Sequence, residues 1–139
     1  MKYRKFGSQW IVRIDRGEEI VEELKRFCRE NAVKLGSVRG IGATNQARIG
    51  LFRTETREYV TTEVRGDHEI IGLTGNISLL HGEIYLHLHV TLSDDSYRAF
   101  GGHLNTAVVS GTCEVVVDEI PGEMEREFDP AVGLNLYRF

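Results

Sequence analysis

EIIGLTGNISLLHGEIYLHLHVTLS, Glu69 to Ser93, is the stretch whose reading decides the fold. It holds two runs rich in Ile, Leu, Val and Thr, joined at LLHGEIY, where Gly82 takes a hairpin position. So short a link makes the two runs antiparallel, because a parallel crossover needs about a dozen residues or more. In the second run, Glu83 to Ser93, residues alternate: Leu86, Leu88, Val90 and Leu92 fall on one face, and Tyr85, His87, His89 and Thr91 on the other.

The same composition extends outward. LGSVRGIGATN, ARIGLFRTET, EYVTTEV and TCEVVVDEI read as further strands separated at glycines and tight turns, one of them at Glu55 to Arg57. Upstream, QWIVRID (Gln9 to Asp15) alternates as a first strand with Trp10, Val12 and Ile14 on one face. Between these lies EEIVEELKRFCREN, whose Ile20, Val21, Leu24, Phe27 and Cys28 recur at three- and four-residue spacing, a helix of about three to four turns. Glu18 and Glu19 at its start and Lys25, Arg26 and Arg29 toward its end complement the helix dipole. The predicted fold class is α+β: a mostly antiparallel β-sheet with one long helix packed on it, a single domain over residues 1–139. The closing segment ends in Leu134, Leu136, Tyr137 and Phe139, apolar enough to dock on the body or on another subunit.

Composition narrows the function classes. Hydrophobic residues make up 41% and charged residues 27%, as in folded water-soluble domains. No run approaches the roughly 20 apolar residues of a membrane span, and the N-terminus lacks the apolar core of a secretory signal, so a cytoplasmic protein is expected. The net charge of −4 supplies no general basic surface for nucleic acid. Cys28 and Cys113 form no CxxC pair and read as two core thiols.

Three of the five histidines fall in HLHVTLSDDSYRAFGGH, His87 to His103. Residues two apart in a strand lie about 6.6–6.8 Å apart on one face, close enough for His87 and His89 to meet an ion at about 2.0–2.1 Å from each nitrogen. His103 is reached by a loop and follows Gly101 and Gly102, which let the backbone pass close to another strand or adopt positive φ, as expected where the chain bends to aim one side chain at the same point. Three neutral nitrogens make a good face for zinc with an open fourth position. Cys113 is the soft candidate for closing that position, but it shares a face with Val115 and Val117 and so reads as core. Glu69 and Glu83 are candidate bases, and Glu69 and Arg39 candidate pocket residues; His68 and His81 read as surface positions.

GDHEIIGLTGNISL (Gly66 to Leu79), LHLHVTLSD, FGGHL, RGEEIVEELKRFC and GSVRGIGAT together resemble the PPC (or PCC) domain family of plant AT-hook nuclear proteins and small stand-alone prokaryotic proteins. The resemblance spans nearly the whole chain. It implies a homotrimer with subunit contacts through the sheet, and a metal, usually zinc, on His87, His89 and His103. Where the family has Arg-Phe before its conserved-pattern glutamate, this chain has Asp67-His68 before Glu69. It has no Arg-Gly-Arg-Pro hook, so the plant relatives' DNA binding carries over poorly. Three functions follow as expectations: a zinc-dependent small-molecule site, a DNA-associated regulator using Arg39, Arg48, Arg53 and Arg57, or a purely structural interaction module.

Overall fold

The computed structural model describes all 139 residues. Two short strands, β1 (Lys2–Phe6) and β2 (Gln9–Asp15), lead into helix α1 (Ile20–Glu30). Four long strands follow, β3 (Gly36–Arg53), β4 (Glu58–Leu80), β5 (Glu83–Ser93) and β6 (Ala99–Glu119), then a terminal hairpin of β7 (Glu125–Asp129) and β8 (Leu134–Tyr137). β3 pairs with β4 and β6, and β5 pairs with the same two strands, so the four close on one another. Every pairing is antiparallel except β4 with β7.

The alternation in Gln9–Asp15 holds: Trp10, Val12 and Ile14 are buried and their neighbours are not. They pack with Ile20, Val21, Leu24, Phe27 and Cys28 of α1, Leu88, Val90 and Leu92 of β5, and Cys113, Val115 and Val117 of β6. Each such side chain contributes about 1.5–3 kcal/mol when withdrawn fully from water. Burial pushes both thiols up to about 12, so Cys28 and Cys113 stay protonated within the core.

Three expectations change. The helix is not long: it spans 11 residues, because Glu19 turns from helix former to cap. The Glu19 carboxylate accepts hydrogen bonds from the backbone N–H of Val21 (3.1 Å) and Glu22 (2.7 Å), and from that of Ala107 on β6 (2.8 Å). Asn31 closes the other end through Nδ2 to the Phe27 carbonyl. Replacing Glu19 by alanine should therefore cost about 1 kcal/mol, seen as a lower urea midpoint with an unchanged slope.

The second change concerns the glycines. The expected pairs of short strands on either side of residue 46 and of residues 65–68 are continuous in β3 and β4, with local register shifts at Gly40/Gly42 and Thr44/Gln46. These glycines do not break the strands; several let neighbouring strands approach. A Cβ on Gly75 would fall on the His87 carbonyl oxygen and within 2.8 Å of Leu88. The turns expected at Glu55 to Arg57 and at Gly82 are present, with positive φ at Arg57, His81 and Gly82.

Third, β1 precedes the strand expected to come first. It is charged and exposed along its whole length, which blunts it as an edge and hides it from a search for an apolar face.

Candidate metal centre

Pleating and register bring the three histidines together. His87 and His89 project from one face of β5, while Leu88 and Val90 anchor the other face in the core. His103 is not delivered by a loop. It lies within β6, directly opposite His89 in the ladder, where opposed side chains stand about 4.5–5.5 Å apart at Cβ. Of the two roles expected of Gly101 and Gly102, close approach to neighbouring strands is the one present: a Cβ on Gly101 would meet the Val90 carbonyl, and one on Gly102 would lie 2.6 Å from the Gly50 carbonyl.

One nitrogen from each ring lies within 4.8 Å of the others. Nε2 of His87 and Nε2 of His89 are 3.1 Å apart, and the ring centroids are separated by 5.0, 5.2 and 5.7 Å. Two nitrogens bound tetrahedrally to zinc at about 2.0–2.1 Å stand roughly 3.3–3.4 Å apart, so the donor set is spaced for an ion. Two of the rings are also held toward the neutral form. Burial, with the nearby His87 and His89, pushes His103 down to about 4. Burial first, then His89 and Arg126, lowers His87. Metal binding requires neutral imidazole, which these surroundings favour.

A pH dependence follows for the metal-free protein. His103 titrates near 4 when folded and near its ordinary value of 6.5 when unfolded. Between those values the unfolded chain binds more protons, so acid pulls the equilibrium toward unfolding. Thermal stability should be complete above pH 6.5 and decline from there toward pH 5, before most carboxylates protonate. A His103→Gln variant should make that decline shallower, the remainder coming from His87, which is also lowered.

The histidines form one wall of a cavity of about 770 Å³, within the usual range for small-molecule sites. Tyr59 stands edge-on to His103, with ring centroids 6.0 Å apart, and its hydroxyl donates to Oδ1 of Asn105 (2.9 Å). Leu51, Phe52, Leu134 and Leu136 add apolar lining, so part of the apolar C-terminal segment lines the cavity. Tyr85 and Arg126 complete the side nearest His87.

The other candidates lie elsewhere. Glu69 is on β4 opposite Ser93 and borders a different groove with Ile41 and Thr112. Arg39 pairs with Asp118 at 2.7 Å. Neither they nor Glu83, exposed at the β4–β5 hairpin, line the histidine cavity. His81 occupies that hairpin's turn, and His68 packs edge-on against Phe100. Cys113, sealed in the core, is not among the clustered ligands. Sequence reasoning missed Tyr59, Asn105 and Arg126. Only Tyr85 carried a signal, through its shared alternation with His87.

The model of the Plants and Prokaryotes Conserved (PCC) domain matches residues 1–121. The chain belongs to this family. Among solved structures, a Bacteroides thetaiotaomicron protein described as a "putative DNA binding protein" is 39% identical, with a TM-score of 0.96 over 99% of this chain and 96% of that one. A protein from Archaeoglobus fulgidus described as metal-containing is 35% identical, with a TM-score of 0.90 and full coverage of both chains. A Pyrococcus horikoshii PPC protein is 31% identical, with a TM-score of 0.87 over 99% and 95%. The PCC chain also matches the Bifunctional protein GlmU of Synechococcus sp. (strain JA-3-3Ab), 31% identical over 120 residues, 84% of this chain; the match spans 18% of that relative's length. No helix is long and apolar enough to cross a membrane.

Proposed function

We propose that this PCC domain holds a zinc ion on His87, His89 and His103 and uses the adjoining cavity to bind a small molecule. The observation that carries the reading is the convergence of three ring nitrogens within 4.8 Å at the wall of that cavity. The metal-containing relative, alike over its full length, supports it. When bound, zinc would leave a coordination position open to polarise a carbonyl or to lower the pKa of water to about 7. The chain's own residues hold the three nitrogens together and line the approach to them with Tyr59 and apolar side chains. Metal analysis of protein purified without a histidine tag tests the reading: about one zinc per chain is expected, and stoichiometric absence after zinc reconstitution contradicts it.

A second reading, a DNA-associated regulator, is favoured by the description of the Bacteroides relative. Against it, Arg39 pairs with Asp118, and Arg48 and Arg53 lie near Glu63 and Glu58. A DNA binder should lose roughly 0.9 log units of affinity per log unit of salt for each phosphate contacted; no binding at low salt ends this reading. Leu51, Ile41 and Ile71 stand more than half exposed on the strands, which supports assembly as the homotrimer that the sequence resemblance implies. Light scattering at the monomer mass would contradict the trimer.

A further inference from the structure

Arg126 is a buried cation with no anion. Only 6% of it is exposed, yet its three hydrogen-bond partners are neutral: Nε donates to Oγ of Ser78, Nη1 to the Asn135 carbonyl and Nη2 to Oδ1 of Asn76, each at 2.8 Å. Burying a charge without a counter-charge is costly, and such groups normally carry a partner. Nothing in the fold supplies one, although the guanidinium lines the histidine cavity.

Its placement is set by two strands. Asn76 and Ser78 lie opposite His87 and Tyr85 in the β4–β5 ladder, so the guanidinium rests on the strand next to the histidines. The rings of Tyr85 and Tyr137 stack on it at 5.0 and 4.3 Å. Of the five N–H donors of a guanidinium, three are used and two remain, the number a planar carboxylate accepts from one arginine.

We infer that Arg126 is the anchor for a carboxylate on the small molecule that enters the cavity, one end held by the guanidinium and another part reaching the histidine-bound metal. The ligand class is a short carboxylic acid bearing a second oxygen donor. This rests on the metal-site reading for its second contact, while the Arg126 contact stands on its own geometry. Arg126 lies on the terminal hairpin, beyond the residues 1–121 that the family model matches, so the hairpin supplies this contact to the cavity.

Calorimetry with malonate and succinate as probes, malonamide as the neutral control and inorganic phosphate as the competing anion tests the inference, on metal-free and on cobalt(II)-loaded protein. At least one of the two acids should bind, and malonamide should not. Arg126→Gln and Arg126→Lys should weaken acid binding about ten- to a hundredfold, while the visible spectrum of bound cobalt persists. Loss of cobalt uptake in wild-type protein would sink the metal reading but leave an arginine-dependent acid site intact. The carboxylate inference is overturned if neither acid binds, if the variants bind as tightly as wild type, or if phosphate binds more tightly than both acids. Should the variants fail to fold, malonamide binding wild type as well as malonate does would overturn it alone.

Discussion

His89→Ala should abolish high-affinity zinc binding while leaving the fold intact. His89 is exposed on β5 and touches the core only through its neighbours Leu88 and Val90, so the far-UV spectrum should not change. Losing a group that merely supports a metal ligand costs about ten- to a hundredfold in affinity; removing one of three direct ligands should exceed a hundredfold, read by competition with a chromophoric chelator. Stability should change in step. A ligand at about a thousand times its Kd stabilises the state it binds by roughly 4 kcal/mol. The zinc-dependent rise in the wild-type melting temperature should therefore vanish in the variant, whose metal-free melting temperature should stay close to that of metal-free wild type. Equal zinc affinity in the two proteins would dismantle the three-histidine assignment.

Gly75→Ala should be the most damaging single methyl group in the neighbourhood of the site. Gly75 faces Leu88 across the β4–β5 ladder, between the rows that carry His87 and His89. The added Cβ would press on the His87 carbonyl, on Leu88 Cα at 2.8 Å and on Leu88 Cδ2 at 2.8 Å. Two of these atoms are backbone, which cannot rotate aside, so β5 itself must move. Overpacking of this kind costs about 1–3 kcal/mol, or a fall of roughly 4–12 °C in melting temperature for a domain of this size. Zinc affinity should weaken as well, since the same shift displaces His87. Gly72→Ala, three residues away, is the control: no atom lies within 4 Å of its added Cβ, and its stability should stay within about 0.5 kcal/mol of wild type. If both variants melt together, close strand approach is not what Gly75 provides.

How much was legible in the sequence depended on the range of the interactions. The apolar stripe of α1, the alternation of Trp10, Val12 and Ile14, and the shared face of His87 and His89 are local patterns, and each is present in the fold. The hairpin at Gly82 was equally local. The strand break expected around Gly66 was misread because a glycine that ends a strand and one that a strand runs through look the same in one dimension; β4 continues through Gly66 despite its positive φ. His103 was placed near the other two histidines by its glycines, but its real position comes from the β5–β6 register. Glu19 was read as part of the helix, yet its carboxylate is drawn to the helix's free N–H groups and to Ala107, 88 residues away. Arg126 left no trace at all. It sits in an acidic run, and its partners Asn76 and Ser78 are about 50 residues earlier in the chain.

The most direct test of the central claim is anomalous diffraction at the zinc absorption edge from crystals of untagged, zinc-supplemented protein. A single peak per chain is expected, bounded by ring nitrogens of His87, His89 and His103, with the fourth position facing the cavity. A zinc peak at any other set of ligands, with those three rings free, would contradict it.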